Sequence, residues 1–412
     1  IGHVRYSTSG GSSMRNVQPL YADVRGGGIA LAHNGNLVNT AELAADAGML
    51  DGTVMSDSDL VAELVASELA SGQAPEGTEL PWAFARVLPR LRGGFSFVAM
   101  DRHHLVGARG PEGFWPLCLG RLDNGWVVAS ESPALDTVGA HFVREVDPGE
   151  MVIISRDGWT SERPFNNPNP RLCMFEFVYF SRPDTVLYGR NVHAARQRMG
   201  EQLADQAPAS GDLVMPVPES GIPAAQGFAR ASGIPYRDGL VKNRYIGRTF
   251  IAPSQEMRAL GVKMKLNPIR HNIEGKRLVV VDDSIVRGTT TRAIVEMLRF
   301  AGAAEVHLRI SSPPYRWPCF YGMDTGTKAE LLAANLTMDE IREYLGVNSI
   351  AYLELDRLIE ATGAPGAGFC TACLDGEYPV AIPQGLSREV LVERRDESGA
   401  TFAPVSQMKL GQ

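Results

Sequence analysis

The sequence predicts two successive units, an α+β layered structure followed by an α/β domain on a parallel sheet, and three observations carry this reading. Residues 1 to about 157 consist of short apolar stretches broken by Gly, Asn and Asp, with one or two helices, the pattern of α+β layers. From Cys173 to about Leu345 apolar strands alternate with longer helical stretches, which requires a parallel sheet covered on both faces. Between them Asn166-Asn167-Pro168-Asn169-Pro170 is a cluster of chain breakers, and the boundary between 1–168 and 169–345 is placed there.

In the first unit Gly28-Ile29-Ala30-Leu31-Ala32 and Phe95-Ser96-Phe97-Val98-Ala99-Met100 read as strands. The clearest helix runs from Ser56 to about Leu69: Leu60, Val61, Leu64 and Val65 recur at helical spacing behind Ser56 and Asp59 as capping residues. In the second unit Leu213-Val214-Met215, Leu278-Val279-Val280-Val281 and Val306-His307-Leu308-Arg309-Ile310 read as strands. Helices are expected from about Pro223 and from about Thr290 to Ala301. Residues 346–384 form a C-terminal segment, and 385–412, charged and without periodicity, are expected to be a loosely held tail.

Composition narrows the function. A formal net charge of −7 argues against a nucleic-acid groove or a membrane-surface patch, so an anionic substrate needs a local basic pocket. No apolar run approaches the roughly 18 residues of a membrane span, no signal-peptide pattern opens the chain, and the expected compartment is the cytosol. The chain begins at Ile1, directly before a dense motif, and the natural start is expected to lie upstream. Five cysteines, an odd number in a large chain, point to metal or redox chemistry over a disulfide framework.

The most informative stretch is Leu278-Val279-Val280-Val281-Asp282-Asp283-Ser284-Ile285-Val286-Arg287-Gly288-Thr289-Thr290-Thr291-Arg292. A buried strand delivers two adjacent carboxylates at its C-terminal end, where open α/β sheets bind ligands, and a hydroxyl-rich turn leads into a helix. N–H groups at the helix start, with Ser and Thr hydroxyls, can cradle a phosphate, and the carboxylates can hold ribose hydroxyls or Mg²⁺. The glycine-rich strings of the common nucleoside-triphosphate and dinucleotide loops are absent from the sequence. Val279 to Thr290 resembles the signature of type I phosphoribosyltransferases. Lys242-Asn243-Arg244-Tyr245-Ile246-Gly247-Arg248-Thr249-Phe250-Ile251 and Ser312-Pro313-Pro314 resemble, within that group, the glutamine phosphoribosylpyrophosphate amidotransferase family.

That resemblance implies a set of site residues for 5-phosphoribosyl 1-pyrophosphate (PRPP). Asp282 and Asp283 would hold ribose hydroxyls and, with Ser220, Mg²⁺; Ser284, Arg287, Gly288, Thr289 and Thr290 would bind the 5-phosphate. Val217-Pro218-Glu219-Ser220-Gly221 matches the pyrophosphate loop, and Lys242, Arg244, Tyr245 and Arg248 match a segment that closes over substrate. A dry, closed site stabilises an oxocarbenium-like centre and keeps water from competing with ammonia.

The N-terminal part is similar to the N-terminal-nucleophile glutaminases, a fold of αββα layers, through Gly2-His3-Val4-Arg5-Tyr6-Ser7-Thr8, His33-Asn34-Gly35-Asn36 and Met55-Ser56-Asp57-Ser58-Asp59. The likeness implies that Arg5 and Asp57 bind the α-carboxylate and α-amino groups of glutamine, and that Asn34 and Gly35 form the oxyanion hole. It places the nucleophilic cysteine several dozen residues upstream of Gly2, so the glutaminase layers are expected to be incomplete and glutamine hydrolysis absent in the sequence as given. Arg109-Gly110-Pro111-Glu112-Gly113-Phe114-Trp115 departs from the family, which usually has Asp at position 110 and Arg at 115; Trp115 is expected to weaken coupling between the halves.

Cys370-Thr371-Ala372-Cys373 alone fits zinc, redox chemistry or an iron–sulfur cluster. The resemblance implies that Cys173, Cys319, Cys370 and Cys373 ligate a structural [4Fe–4S] cluster, with Cys118 a small buried residue. It further implies an amidophosphoribosyltransferase that makes 5-phosphoribosylamine in the first committed step of purine synthesis, is homo-oligomeric and is inhibited by purine nucleotides. Two alternatives are a non-catalytic sensor of PRPP or nucleotides, and a base-salvage enzyme, which would have no use for a glutamine-binding half.

Overall fold

The computed structural model describes residues 1–4, 16–24, 27–50, 54–243, 245, 265–325, 327–364, 366–384 and 386. Arg5, Arg244 and Arg248, and all of the tail but Leu386, lie outside them.

The N-terminal unit contains strands β1 (Leu20–Val24), β2 (Gly27–Leu37), β3 (Gly93–Met100), β4 (Leu105–Arg109), β5 (Cys118–Leu122), β6 (Gly125–Ala129), β7 (His141–Glu145), β8 (Met151–Ser155) and β9 (Gly158–Glu162). They form a six-stranded antiparallel sheet ordered β1-β2-β3-β4-β8-β9 and a three-stranded sheet ordered β6-β5-β7. Side-chain alternation builds the layers. From β3, Phe95, Phe97 and Ala99 join a core with the apolar faces of helices α1 (Thr40–Asp46), α2 (Asp57–Ala70) and α3 (Glu79–Val87). Val98 faces the opposite way, toward Leu119 and Val128 of the second sheet. A short helix α4 (Ser132–Thr137) closes the far side through Leu135, which packs on Cys118 and Ala140, so the order is helix, sheet, sheet, helix. Ser56 accepts a hydrogen bond from Asp59 N (3.2 Å) and caps α2, while Asp59 accepts from Met55 N (3.0 Å), closing the cap in both directions.

The C-terminal unit is a parallel sheet in the order Leu213–Pro216, Arg277–Asp282, Glu305–Ile310, Ser349–Tyr352. Helices α5 (Val192–Gln206) and α6 (Ile222–Ser232) cover one face over Val214, Val279 and Val281. The helices Thr289–Phe300 and Met338–Leu345 cover the other, over Leu278 and Val280. The expected strands and helices of both units fall where the sequence predicts them. One expectation changes: the fourth strand, Ser349–Tyr352, pairs in parallel with Glu305–Ile310, so the sheet continues past Leu345 into the segment read as a separate C-terminal piece. Four half-buried residues at a sheet edge carry too little apolar pattern to announce a strand.

The two units meet through side chains that read backbone. Glu131 accepts from Arg182 N (2.8 Å) and from the Thr185 hydroxyl (2.6 Å), Ser132 accepts from Val186 N (3.1 Å), and Glu145 accepts from Tyr188 N (2.6 Å). A second seam joins Asn36 and Trp115 to the carbonyls of Phe320 and Tyr321.

Candidate active site

Two neighbouring parallel strands end together, Pro216 being paired with Val281, and each opens into a loop. After Pro216 runs Val217-Pro218-Glu219-Ser220-Gly221, with a cis peptide between Pro218 and Glu219. Val217 N donates to Val281 O (2.9 Å), and a Cβ on Gly221 would stand 2.6 Å from the same carbonyl oxygen, so only glycine lets this loop lie flat on the neighbouring strand. After Val281 come Asp282 and Asp283, 8% and 7% exposed. Asp282 accepts from Asp283 N (2.9 Å), Asp283 accepts from the Ser284 hydroxyl (2.5 Å), and the Ser220 hydroxyl also bonds Asp283, tying the two loops together.

Burial raises both carboxyls, that of Asp282 well above the usual carboxylate range. For Asp282 the charge of Asp283 adds to it, whereas for Asp283 the hydroxyls of Ser220 and Ser284 and the Arg196 guanidinium act in the opposite sense. A buried, mutually repelling carboxylate pair is a site that a divalent cation stabilises. Beyond it the chain turns through Gly288, at φ 76°, into the helix Thr289–Phe300, whose first turn no side chain caps. Its free N–H groups and the hydroxyls of Thr289 and Thr290 are the elements of a phosphate cradle. A Cβ on Gly288 would press to 2.8 Å on Leu332, so the turn admits no bulk.

The structure brings Glu219, Ser220, Asp282, Asp283, Ser284, Gly288, Thr289 and Thr290 to this edge of the sheet. Lys242 joins them through an ion pair with Glu219 (2.8 Å), and Arg287 is held by Glu330 (3.3 Å). Tyr245 is not brought in: its ring is 98% exposed, although its N–H donates to Asn243 Oδ1 (3.1 Å). With Arg244 and Arg248 outside the described residues, the geometry of the basic segment rests on Lys242 alone.

At the other end of the molecule, Asn34 and Gly35 sit near the end of β2, paired with Ser96 and Phe95 of β3. Gly35 has φ 141°, and a Cβ there would lie 2.0 Å from Gly94 O. Asp57, 6% exposed at the start of α2, accepts from Leu37 N (3.1 Å) and Ser58 N (2.8 Å) and lies 3.5 Å from His33 Nδ1, so it is locked beside the Asn34–Gly35 strand. Burial lowers the pKa of His33, which keeps the ring neutral beside that carboxylate.

The four predicted thiols also converge. Leu172–Cys173 pairs in parallel with Phe369–Cys370, setting Cys173 opposite Cys370. Cys319 N donates to the Thr325 hydroxyl (2.9 Å), and Arg316 N and Trp317 N donate to Cys373 O (3.0 and 3.1 Å). Burial pushes the thiols of Cys173 and Cys373 well up and that of Cys370 up to about 12, and the neighbouring cysteines, Cys319 included, add to each. Among the described residues no three His, Cys, Asp or Glu side chains stand close enough to hold one metal ion. Cys118 lies apart, buried in the second sheet.

Sequence reasoning missed two buried arginines that organise backbone within each unit. Arg109 is fully buried and donates to the carbonyls of Trp115 (2.9 Å), Val146 (2.8 Å) and Gly113 (2.9 Å). Arg196, 3% exposed, donates to Phe177 O and Ser181 O (both 2.8 Å) beside the buried Glu176. No local pattern marks either: Arg109 ends β4, and Arg196 stands between Ala195 and Gln197 on α5 like a surface arginine.

The chain matches the glutamine amidotransferase domain over residues 3–137 and the phosphoribosyl transferase domain over 184–311. It is 49% identical to the amidophosphoribosyltransferase of Mycobacterium tuberculosis over 393 residues, 93% of this chain and 74% of that one. It is 48% identical to that of Synechococcus elongatus over 398 residues, 95% and 80% of the two chains. It superposes on the solved Bacillus subtilis glutamine PRPP amidotransferase complexed with ADP and GMP with a TM-score of 0.84 at 45% identity, covering 94% of this chain and 85% of that one. The fold, the paired-carboxylate edge of the parallel sheet and this extent of similarity lead to one conclusion: the chain belongs to the amidophosphoribosyltransferase family.

Proposed function

We propose that this chain forms 5-phosphoribosylamine from PRPP and glutamine-derived ammonia, the first committed step of purine synthesis. The observation that carries it is the buried Asp282–Asp283 pair, bonded through Ser220 to the adjacent loop and followed by an uncapped helix start. Asp282, Asp283 and Ser220 would hold Mg²⁺ and the ribose hydroxyls, and the pair's burial and mutual repulsion fit a divalent cation. Mg²⁺, when bound, supplies charge neutralisation for departing pyrophosphate.

In this reading the chain's own residues bind and orient. Ser284, Arg287, Gly288, Thr289 and Thr290 hold the 5-phosphate on N–H groups and hydroxyls aligned by the helix. Glu219 and Ser220 present the pyrophosphate loop, and Lys242, already beside Glu219, leads the segment with Arg244, Tyr245 and Arg248 over the substrate, excluding water while C1 carries positive charge. In the glutamine half, Asn34 and the Gly35 N–H stabilise the oxyanion, and Asp57 and Arg5 hold the amino-acid ends of glutamine.

Cys173, Cys319, Cys370 and Cys373 are assigned to a [4Fe–4S] cluster of structural role. A cluster is wider than a single ion, so its thiolates stand farther apart than the ligands of one metal, and Cys173, Cys370 and Cys373, raised by burial and by the cysteines around them, with Cys319 beside them, fit it. The same reading divides the chain at about residue 168, makes it a cytosolic homo-oligomer and gives it purine nucleotides as inhibitors; ADP and GMP in the Bacillus subtilis complex support the last.

Calorimetric titration with PRPP tests the carboxylate pair. Binding is expected to need Mg²⁺ and to weaken by about tenfold or more in Asp283→Asn. Equal binding without Mg²⁺ and in the variant would contradict the assignment.

A further inference from the structure

Between the cysteine region and the glutamine half, one loop touches both. Residues 319–322 begin at Cys319 and pass directly over the end of β2 that carries Asn34 and Gly35. Two glycines make room for this contact. A Cβ on Gly322 (φ 131°) would come within 2.9 Å of Gly35 Cα and 2.8 Å of Trp115 Cζ2, and a Cβ on Gly94 would come within 2.5 Å of Tyr321 O and 2.9 Å of Trp115 Nε1. The hydrogen bond from Trp115 Nε1 to Tyr321 O (2.8 Å) therefore lies straight above Gly94, the β3 partner of Asn36. Asn36, fully buried, donates its amide to Phe320 O (2.7 Å) from the strand side.

The rest of Tyr321 is equally held. Its ring stacks on Phe114 at 4.5 Å and 10°, its hydroxyl donates to Val380 O (2.5 Å), and that hydroxyl accepts from Val380 N (3.1 Å). Trp115 is fixed in turn: its carbonyl accepts from Ser96 Oγ (3.0 Å) and Arg109 Nε (2.9 Å), and its ring meets Phe180 edge-on at 5.7 Å. Ser96 pairs with Asn34 across the sheet. Trp115, 5% exposed, thus supplies an uncharged donor in a dry seam, where an unpaired carbonyl would be costly.

We propose that Trp115 is a positioning residue for the Asn34–Gly35 stretch of β2: by holding the Tyr321 carbonyl over Gly94 it seats the Cys319 loop against Gly35 and ties the glutamine half to the cysteine-bearing segment. This reverses the expectation from sequence that a tryptophan here loosens the junction. It rests on reading Asn34–Gly35 as the oxyanion hole.

The test is amide hydrogen exchange on the protein carrying the upstream nucleophilic cysteine that the resemblance implies, with rates of product formation from glutamine and from ammonium measured alongside. Trp115→Phe keeps the ring and removes the donor; exchange within 33–37 and 319–322 is expected to quicken about five- to tenfold while the strand Arg277–Asp282 stays unchanged. Gly322→Ala, which leaves the Trp115 donor in place but pushes on both Gly35 and the Trp115 ring, is expected to give the same local signature. The glutamine rate should fall relative to the ammonium rate, a split that general loss of folding would not produce. Unchanged exchange at 33–37 in both variants, or an equal fall in both rates, overturns the latch. Wild-type protein inactive with either nitrogen source overturns instead the functional reading on which it rests, and the exchange result still decides the contact.

Discussion

At the scale of single residues, the functional groups sit where burial works against them. Burial works against both Asp282 and Asp283, opposed at Asp283 by the hydroxyls of Ser220 and Ser284 and the Arg196 guanidinium, so the cation-free protein carries an electrostatic cost. Asp282→Asn is therefore expected to raise the thermal midpoint without divalent cation and to abolish the rise that Mg²⁺ gives the wild type, read by calorimetry at pH 8. Glu176 makes a sharper pH prediction. Burial raises it from the ordinary 4.5 to about 7, against the opposing Ser181 hydroxyl and Arg196 guanidinium. The folded state then binds a proton that the unfolded state has released. The stabilisation is complete below about pH 4.5 and is lost as pH rises to about 7, amounting to about 3 kcal/mol. Glu176→Gln should flatten this decline, so that variant and wild type differ more at pH 8 than at pH 5; parallel melting curves across that range would count against it.

At the scale of elements, what was legible in the sequence was local. The Asp282-to-Thr290 string declares a strand, a turn and a helix start because the apolar run, the paired acids, the Gly288 turn and the hydroxyls follow one another in sequence. The capped helix at Ser56 is legible for the same reason. Glu131, Ser132 and Glu145 were not: each bonds backbone 43 to 54 residues away, and nothing near them distinguishes them from surface acids and hydroxyls. The three-stranded sheet β5–β7 was equally hidden, since its strands are five residues each and β7 is half exposed. Helix packing yields its own prediction. A Cβ on Gly200 of α5 would lie 1.8 Å from Ala224 O of α6, and one on Gly227 of α6 would lie 1.9 Å from Gln197 O, both against backbone that cannot yield. Gly200→Ala should destabilise the protein by about 2 kcal/mol or more in urea unfolding, where an exposed helical glycine would gain from the same change.

At the scale of the whole molecule, two chemically distinct centres share one chain and are joined by seams of side chain to backbone bonds. The convergence of Cys173, Cys319, Cys370 and Cys373 from three separate stretches was inferable only from the resemblance; count and spacing left zinc and redox chemistry open. If these thiols hold a cluster, anaerobically prepared protein will contain iron and sulfide, and chelation will lower its thermal midpoint; the absence of both elements would remove the assignment. The paired carboxylates at the edge of the parallel sheet are proposed to hold PRPP for phosphoribosyl transfer to ammonia. The most direct measurement is pyrophosphate release from PRPP with Mg²⁺ and ammonium at high pH, on anaerobically prepared protein. Release that needs both Mg²⁺ and ammonium and disappears in Asp283→Asn is the predicted result; tight PRPP binding with no release would contradict it and leave a nucleotide or PRPP sensor in its place.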